Sequence, residues 1–124
     1  MATITEDYVS FETAKLLKGK GFDNISSIMY KENGEKCINP KSVVSWRLKY
    51  WYPCVTHQMV MKWLREVHKI SIEITSTGYL IDNDVAWECD IKAGHRLYFK
   101  HITNEKSFES CAEAAIKYCL KNLI

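Results

Sequence analysis

Long apolar runs are missing from this sequence, and none approaches the roughly 20 residues that a membrane-spanning helix requires. The first residues also lack the basic region and following apolar stretch that mark an export signal. The five cysteines are an odd number without regular spacing, and a chain of 124 residues is large enough to fold without disulfides. We therefore expect a cytoplasmic protein with free thiols that does not bind a membrane.

Catalytic signatures are missing as well. The chain has no glycine-rich phosphate-binding loop, no Cys-x-x-Cys pair and no His-Glu-x-x-His motif. These absences favour a binding function over catalysis. No motif predicts a catalytic residue, a metal ligand or a cofactor.

The composition that is present is typical of one globular domain over residues 1–124, with 47% hydrophobic and 26% charged residues. The net charge is only +2, but the charges are unevenly placed. Residues 36–69 carry seven basic side chains and one acidic one, whereas residues 70–94 carry five acidic side chains and one lysine. We expect surfaces of opposite charge.

Helix and turn signals are clear in the first third of the chain. Ser10 is a suitable N-cap for a first helix, which should end at Gly21. The Asn-Gly pair at 33–34 predicts a type I′ hairpin between two short strands. In that register Tyr30 pairs with Cys37.

Apolar spacing predicts the remaining elements. A second helix is capped by Thr56 and a last helix begins near Ser107. The apolar stripe of the second helix consists of Val60, Trp63, Leu64 and Val67. Alternation predicts strands at 44–52, 71–75, 85–91 and 96–102, with turn signals at 77–78, 82–84 and 93–94.

Short connections between the later strands favour antiparallel pairing. We therefore predict an α+β fold in which an antiparallel sheet of about four to six strands packs against two or three helices. The expected order is helix, hairpin, strand, helix, strands and helix.

The clearest functional signal is segment 46–52, in which aromatic and basic side chains alternate. Trp46 falls on the apolar face of the predicted strand, whereas Trp51 joins Arg47 and Lys49 on the other face. Single-stranded nucleic acid stacks its bases on such rings, and protein interfaces are enriched in the same residue types. The alternative is an ordinary strand with its cations in solvent.

We predict a non-enzymatic protein that binds another protein through Trp46, Arg47, Lys49 and Trp51, together with His57 at the start of the second helix. Single-stranded nucleic acid is the alternative partner, and a second copy of the same chain, in a homodimer, is a further alternative. The small net charge favours a protein partner, because nucleic-acid-binding domains are usually strongly basic.

A thiol-dependent enzyme is the third hypothesis. Cys54 precedes a helix N-terminus, where the dipole favours a thiolate, and His57 lies in the first turn. His95 and His101 could join them around zinc, but their spacing does not match a tetrahedral site, so no metal is predicted.

A group of carboxylates falls on one face of the later strands. Glu88 and Asp90 alternate along one strand, and Glu73 could join them from a neighbour. Such groups can serve acid–base chemistry, but the outer face of a half-exposed sheet shows the same pattern. We interpret them as a solvated face.

Four segments carry a resemblance to known proteins. They are FETAKLL at 11–17, THQMVMKWLREVH at 56–68, DNDVAWE at 82–88 and CAEAAIKYCL at 111–120. In these segments the chain resembles a family of small proteins of unassigned function from gut anaerobic bacteria and their prophages and mobile elements. The resemblance implies a phage-associated or mobile-element accessory protein in a bacterial cytoplasm. It does not extend to residues 38–54.

Overall fold

The computed structural model describes residues 7–22, 28–38, 51–81, 83–94 and 98–124. Within these ranges the chain is α+β, as predicted. Its elements are α1 (Phe11–Gly19), β1 (Ile28–Lys31), β2 (Lys36–Ile38), β3 (Trp51–Pro53), α2 (His57–Val67), β4 (Ile70–Ile81), β5 (Asp84–Ala93), β6 (Tyr98–Glu105) and α3 (Phe108–Asn122). None of these described helices has the length and apolarity needed to span a membrane.

The six described strands form two antiparallel sheets, in the orders β2-β1-β3 and β4-β5-β6. Each sheet thus has three strands, fewer than the four to six predicted for a single sheet. The chain divides into two compact units, Met1–Thr56 and His57–Ile124, and each sheet lies within one of them. That the whole chain forms one domain stays a prediction.

Helix α1 begins and ends where local chemistry predicts. The hydroxyl of Ser10 accepts a hydrogen bond from the N–H of Thr13 at 3.2 Å, which confirms the N-cap. After the helix, Gly21 adopts φ 85°, and the N–H of Phe22 donates to the carbonyl of Leu17 at 3.1 Å. Phe22 and Leu17 are both buried, as a Schellman motif requires.

The hairpin of the first unit differs in register from the prediction. Tyr30 pairs with Lys36, whereas the predicted register pairs it with Cys37. The predicted register would also place Lys31 directly opposite Lys36, and like charges that face each other destabilise a strand pair. The observed shift of one residue separates these two cations.

The turn itself produces this shift. A type I′ turn needs positive φ at both Asn33 and Gly34, but of the two only Gly34 has it, at φ 90°. The N–H of Gly34 donates to the carbonyl of Lys31 at 2.9 Å, and the N–H of Lys31 donates to the carbonyl of Glu35 at 2.8 Å. These bonds define a three-residue loop that ends in a left-handed glycine.

The core of the second unit lies between its sheet and helices α2 and α3, which also pack on each other. The central strand β5 buries Cys89, Ile91 and Ala93 at alternate positions. Helix α3 begins at the predicted N-cap Ser107, whose hydroxyl accepts the N–H of Ser110 at 3.0 Å. Its buried stripe consists of Cys111, Ala112, Ala115, Ile116, Cys119 and Leu120.

Helix α2 buries a stripe that begins earlier than predicted. Its buried residues are His57, Val60, Met61 and Leu64, which follow the i, i+3, i+4, i+7 spacing. Val67 is the last residue of the helix and is 59% exposed, so its predicted place in the core is wrong. The predicted stripe lies about one turn too far toward the C-terminus.

The β4–β5 pair contains a bulge where the sequence predicts a turn. Ser76 pairs with Trp87 and Leu80 pairs with Val85, so residues 77–79 of β4 face the single residue Ala86 of β5. The pairing of β5 with β6 runs only from Trp87 to Ala93. The hairpin therefore extends past β6, and we call its residues 77–81 and 83–86 the hairpin end.

Two contacts of one side chain hold the bulge. The hydroxyl of Thr77 donates to the carbonyl of Ala86 at 3.1 Å and accepts from the N–H of Tyr79 at 3.0 Å. Gly78 adopts φ 82°, a conformation that costs other residues roughly 1–2 kcal/mol. The Thr-Gly pair therefore bends the strand without reversing it.

Candidate functional site

The predicted binding segment is only partly described. Trp46, Arg47 and Lys49 lie outside the described residues, and for Trp51 only the backbone is described, opposite Lys31 in the β1–β3 pair. Their role in binding stays a prediction.

His57, the remaining predicted binding residue, is only 6% exposed. Its Nε2 lies 3.3 Å from Oε1 of Glu113, so this polar contact joins the first residue of α2 to α3. The ring therefore belongs to the interior of the second unit. The sequence could not indicate this, because Glu113 lies 56 residues away.

An aromatic cluster organises the first unit. The ring of Phe11 lies 5.5 Å from that of Tyr30 and 5.4 Å, edge to face, from that of Tyr52. Tyr30 is buried, and its hydroxyl donates to the carbonyl of Val9 at 2.6 Å. Tyr52, which belongs to segment 46–52, is half-buried and thus contributes to packing.

Three lysines lie over rings of the first unit. Lys15 lies 4.9 Å from the ring centre of Phe11, and Lys18 lies 4.9 Å from that of Tyr52. A third, Lys36, lies 5.3 Å from the ring centre of Tyr8. Partial burial lowers the pKa of Lys18. We call the three lysines and these rings the lysine–aromatic surface, and of its members only Tyr52 belongs to segment 46–52.

The hairpin end carries an apolar surface that the sequence analysis missed. Tyr79 is 77% exposed, Leu80 is 66% exposed and Val85 is 42% exposed. Leu80 and Val85 are directly paired across the two strands. The available signal was the run Tyr79-Leu80-Ile81, which breaks the alternation just before a turn.

The opposite charges of the second unit meet on one face of its sheet. Nδ1 of His101 lies 2.6 Å from Oδ1 of Asp90, and its Nε2 lies 3.3 Å from Oε2 of Glu88. Glu73 pairs with Asp90 across the strands and lies 3.3 Å from Lys92. This confirms that the three carboxylates share one face.

These contacts form a network of charged and polar side chains that is exposed to solvent. The hydrogen bond to Asp90 is the main cause that raises the pKa of His101, and the negative charge of Glu88 adds to it. Glu73 lies within ion-pair distance of Lys92, and Glu88 and Asp90 lie within that distance of His101. The interpretation as a solvated face is therefore favoured over acid–base chemistry.

The thiols of Cys54, Cys89, Cys111 and Cys119 are buried. Burial raises the pKa of Cys54, although a hydrogen bond with Tyr30 partly opposes it. Burial also raises the pKa of Cys89 and Cys111, and raises that of Cys119 to about 12. Protonated thiols are poor nucleophiles, so these environments do not favour thiol catalysis.

Histidine side chains are also common metal ligands. His95 lies outside the described residues, and His101 is held by two carboxylates. Over the described ranges, no group of three or more histidine, cysteine or acidic side chains is arranged to hold a metal ion.

No protein-family model, curated protein or solved structure matches the chain. The relation to small proteins of gut bacteria and their mobile elements stays a prediction.

Proposed function

We propose that this chain is a non-enzymatic binding protein that contacts another protein through the hairpin end. One observation carries the proposal: Leu80 and Val85, two exposed large apolar side chains, are directly paired across the strands and so share one face. Tyr79, the most exposed large apolar side chain among the described residues, precedes Leu80 in the chain. Clustered exposed apolar groups mark sites of protein association, whereas single ones do not.

The geometry of the hairpin end suits association with a protein. Cross-strand pairing limits the conformational freedom of Leu80 and Val85 before binding, which lowers the entropic cost of the contact. The acidic side chain of Asp84 lies beside the patch and would repel phosphates. An apolar protein surface is therefore the favoured partner.

The small apolar area of the hairpin end limits the kinds of protein that can bind there. A standard interface buries about 800 Å² on each side, contributed by about 20–30 residues. Three side chains are too few for two copies of this chain to form a stable dimer through this patch alone. We therefore propose a different protein with an apolar cleft that accepts the hairpin end, in the phage or mobile-element setting that the resemblance implies.

Site-specific crosslinking tests the proposal. The photoreactive residue p-benzoylphenylalanine is placed at Tyr79 in one variant and at Val67 in another, as a matched control on α2 with similar exposure. Crosslinks in source cells should form at position 79 and not at position 67. Equal crosslinking at both positions would show non-specific apolar contact.

The partner protein identified by crosslinking is then purified, and its affinity for this chain is measured by calorimetry. Leu80→Ser should weaken binding by roughly fivefold or more, since truncation of a side chain at the centre of an interface costs over about 1 kcal/mol. Val67→Ser should bind within about twofold of the natural chain. Unchanged affinity of Leu80→Ser would contradict the assignment of the hairpin end.

The lysine–aromatic surface supports a second candidate function, the binding of single-stranded nucleic acid. Its three lysines and their rings offer the combination that contacts phosphates and bases. Titration of fluorescein-labelled oligothymidylate with the protein at low salt should then raise the fluorescence anisotropy, with an affinity that falls steeply as salt is added. An anisotropy that does not rise at low salt would leave only the protein-binding proposal.

A further inference from the structure

The three-residue loop of the β1–β2 hairpin contains an asparagine that is placed to react with its own backbone. Asn33 is the only asparagine in the chain that is followed by glycine, and it is exposed. Its Oδ1 accepts a hydrogen bond from the N–H of Glu35 at 3.0 Å. This bond closes a ring of atoms that includes both Cγ of Asn33 and the backbone nitrogen of Gly34. Attack of that nitrogen on Cγ is the first step of asparagine deamidation.

We propose that Asn33 is a site of spontaneous deamidation, and that an isoaspartyl residue formed there loosens the aromatic cluster of the first unit. The reactants are the side-chain amide of Asn33, the backbone nitrogen of Gly34 and water. The reaction needs no enzyme, and it is independent of protein binding at the hairpin end.

The reaction balances in two steps. The backbone nitrogen of Gly34 loses its proton to a solvent base and attacks Cγ of Asn33, and the tetrahedral intermediate takes up a proton and expels the side-chain nitrogen as ammonia. The product is a five-membered cyclic imide. Water then adds to one of its two carbonyl carbons and opens the ring, which gives either aspartate or isoaspartate. One water molecule is consumed and one ammonia is released.

Two features of the loop favour the attack. The N–H of Glu35 donates to Oδ1, the oxygen on which negative charge develops in the tetrahedral intermediate, and so acts as an oxyanion-hole donor does. Gly34 has no Cβ that could crowd the approach of its nitrogen.

One feature of the loop slows the reaction. The N–H of Gly34 donates to the carbonyl of Lys31 at 2.9 Å, so its proton can be lost only when this bond opens. Exposed loop tips open at little cost in free energy. The reaction should therefore proceed in the folded chain, at a rate that rises with pH.

The effect on the fold follows from the packing of Gly34. Isoaspartate adds one methylene group to the main chain, which lengthens the loop just before this glycine. An added Cβ on Gly34 would lie only 3.4 Å from Cδ2 of Phe11, so the backbone here packs against that ring. The same ring contacts Tyr30 and Tyr52. A longer main chain at position 33 should therefore disturb the aromatic cluster.

Two other asparagines are internal controls. Asn83 and Asn104 are also exposed, and both adopt positive φ. They are followed by Asp84 and Glu105, whose side chains crowd the attacking nitrogen. Conversion at position 33 should be faster than at 83 and 104 by about tenfold or more, which requires a barrier lower by only about 1.4 kcal/mol.

Peptide mapping tests the site. The full chain is incubated at mildly alkaline pH, digested at acidic pH and analysed by mass spectrometry, and isoaspartate is detected as a substrate of protein isoaspartyl methyltransferase. The peptide that contains position 33 should gain the mass difference between a hydroxyl and an amino group and should accept methyl groups. Asn33→Gln should prevent this, because glutamine would have to close a larger ring. An unmodified Asn33, or equal conversion at all three positions, would overturn the proposal.

Thermal unfolding tests the effect on the aromatic cluster. The deamidated fraction is separated from the natural chain by ion exchange and compared with Asn33→Asp, which has the same charge but a normal backbone. Asn33→Asp should unfold within about 2 °C of the natural chain, whereas the isoaspartyl form should unfold roughly 3 °C or more below Asn33→Asp. Equal midpoints for the deamidated fraction and Asn33→Asp would contradict the loosening of the cluster.

Discussion

The β4–β5 pair has two ends that share their strands but differ in environment. At the base, β5 has β4 on one side and β6 on the other, and α3 packs on the sheet. At the hairpin end, beyond Trp87, β5 pairs only with β4 among the described strands. Ile91 is completely buried at the base, whereas Val85 is 42% exposed at the end.

This difference shows that neighbours, and not the alternation itself, decide burial. Val85 and Ile91 occupy the same face of β5, six residues apart, and both fit the same apolar pattern. Ile91 is buried and Val85 is exposed. Trp87, between them on this face, has its ring 5.7 Å from that of Phe108 at the start of α3.

The largest expected effect comes from truncating the same face at its two ends. Ile91→Ala should lower the free energy of unfolding by roughly 2–5 kcal/mol, because it removes buried methyl groups and leaves a cavity. Val85→Ala should lower it by less than about 1 kcal/mol. Chemical denaturation of both variants measures the contrast. Equal losses would show that the hairpin end belongs to the core.

An intermediate effect is expected at the bulge that separates the two ends. Gly78→Ala should lower the free energy of unfolding by about 1–2 kcal/mol, because alanine resists the left-handed conformation even though space is open around it. Gly94→Ala is the control, since its site is also open but has no positive φ. An equal loss of unfolding free energy in both variants would show that the left-handed conformation at the bulge is not the cause.

The smallest expected effect concerns the solvent-exposed charged face of the sheet, at His101 and its two carboxylate partners. Because the folded-state pKa of His101 is raised above 6.5, its pairing with Asp90 and Glu88 stabilises the protein fully below about pH 6.5. This stabilisation is lost as the pH rises through the raised pKa. His101→Gln should remove that pH dependence, and NMR titration of the ring measures the pKa directly. A ring that titrates at or below pH 6.5 would contradict the network.

Local chemistry made part of the fold predictable. The N-caps Ser10 and Ser107 and the ending at Gly21 depend on residues within one turn, so the sequence alone specifies them. The register of the β1–β2 hairpin was harder to predict from the sequence, because it depended on whether Asn33 adopts positive φ. The type of feature at 77–78 was also ambiguous, because a left-handed glycine suits a turn and a bulge equally well.

The candidate site was harder to predict because exposure depends on where other elements stop. The alternation of β5 identifies Val85 as apolar, but only the ends of β6 and α3 decide that it is uncovered. The burial of His57 likewise depends on Glu113, which is distant in sequence. Conversely, the prediction for Trp46, Arg47 and Lys49 concerns residues beyond the described part of the chain.

The bulge at Thr77 and Gly78 separates the tip of the β4–β5 hairpin from its base. Since the strand already accommodates two surplus residues there, alterations beyond it need not propagate into the pairing of Ile72 and Ile74 with β5. The tip can therefore diversify, or be exchanged for a foreign loop, while the paired base keeps its alignment. Substitutions at the tip therefore need not disturb the packing of the base.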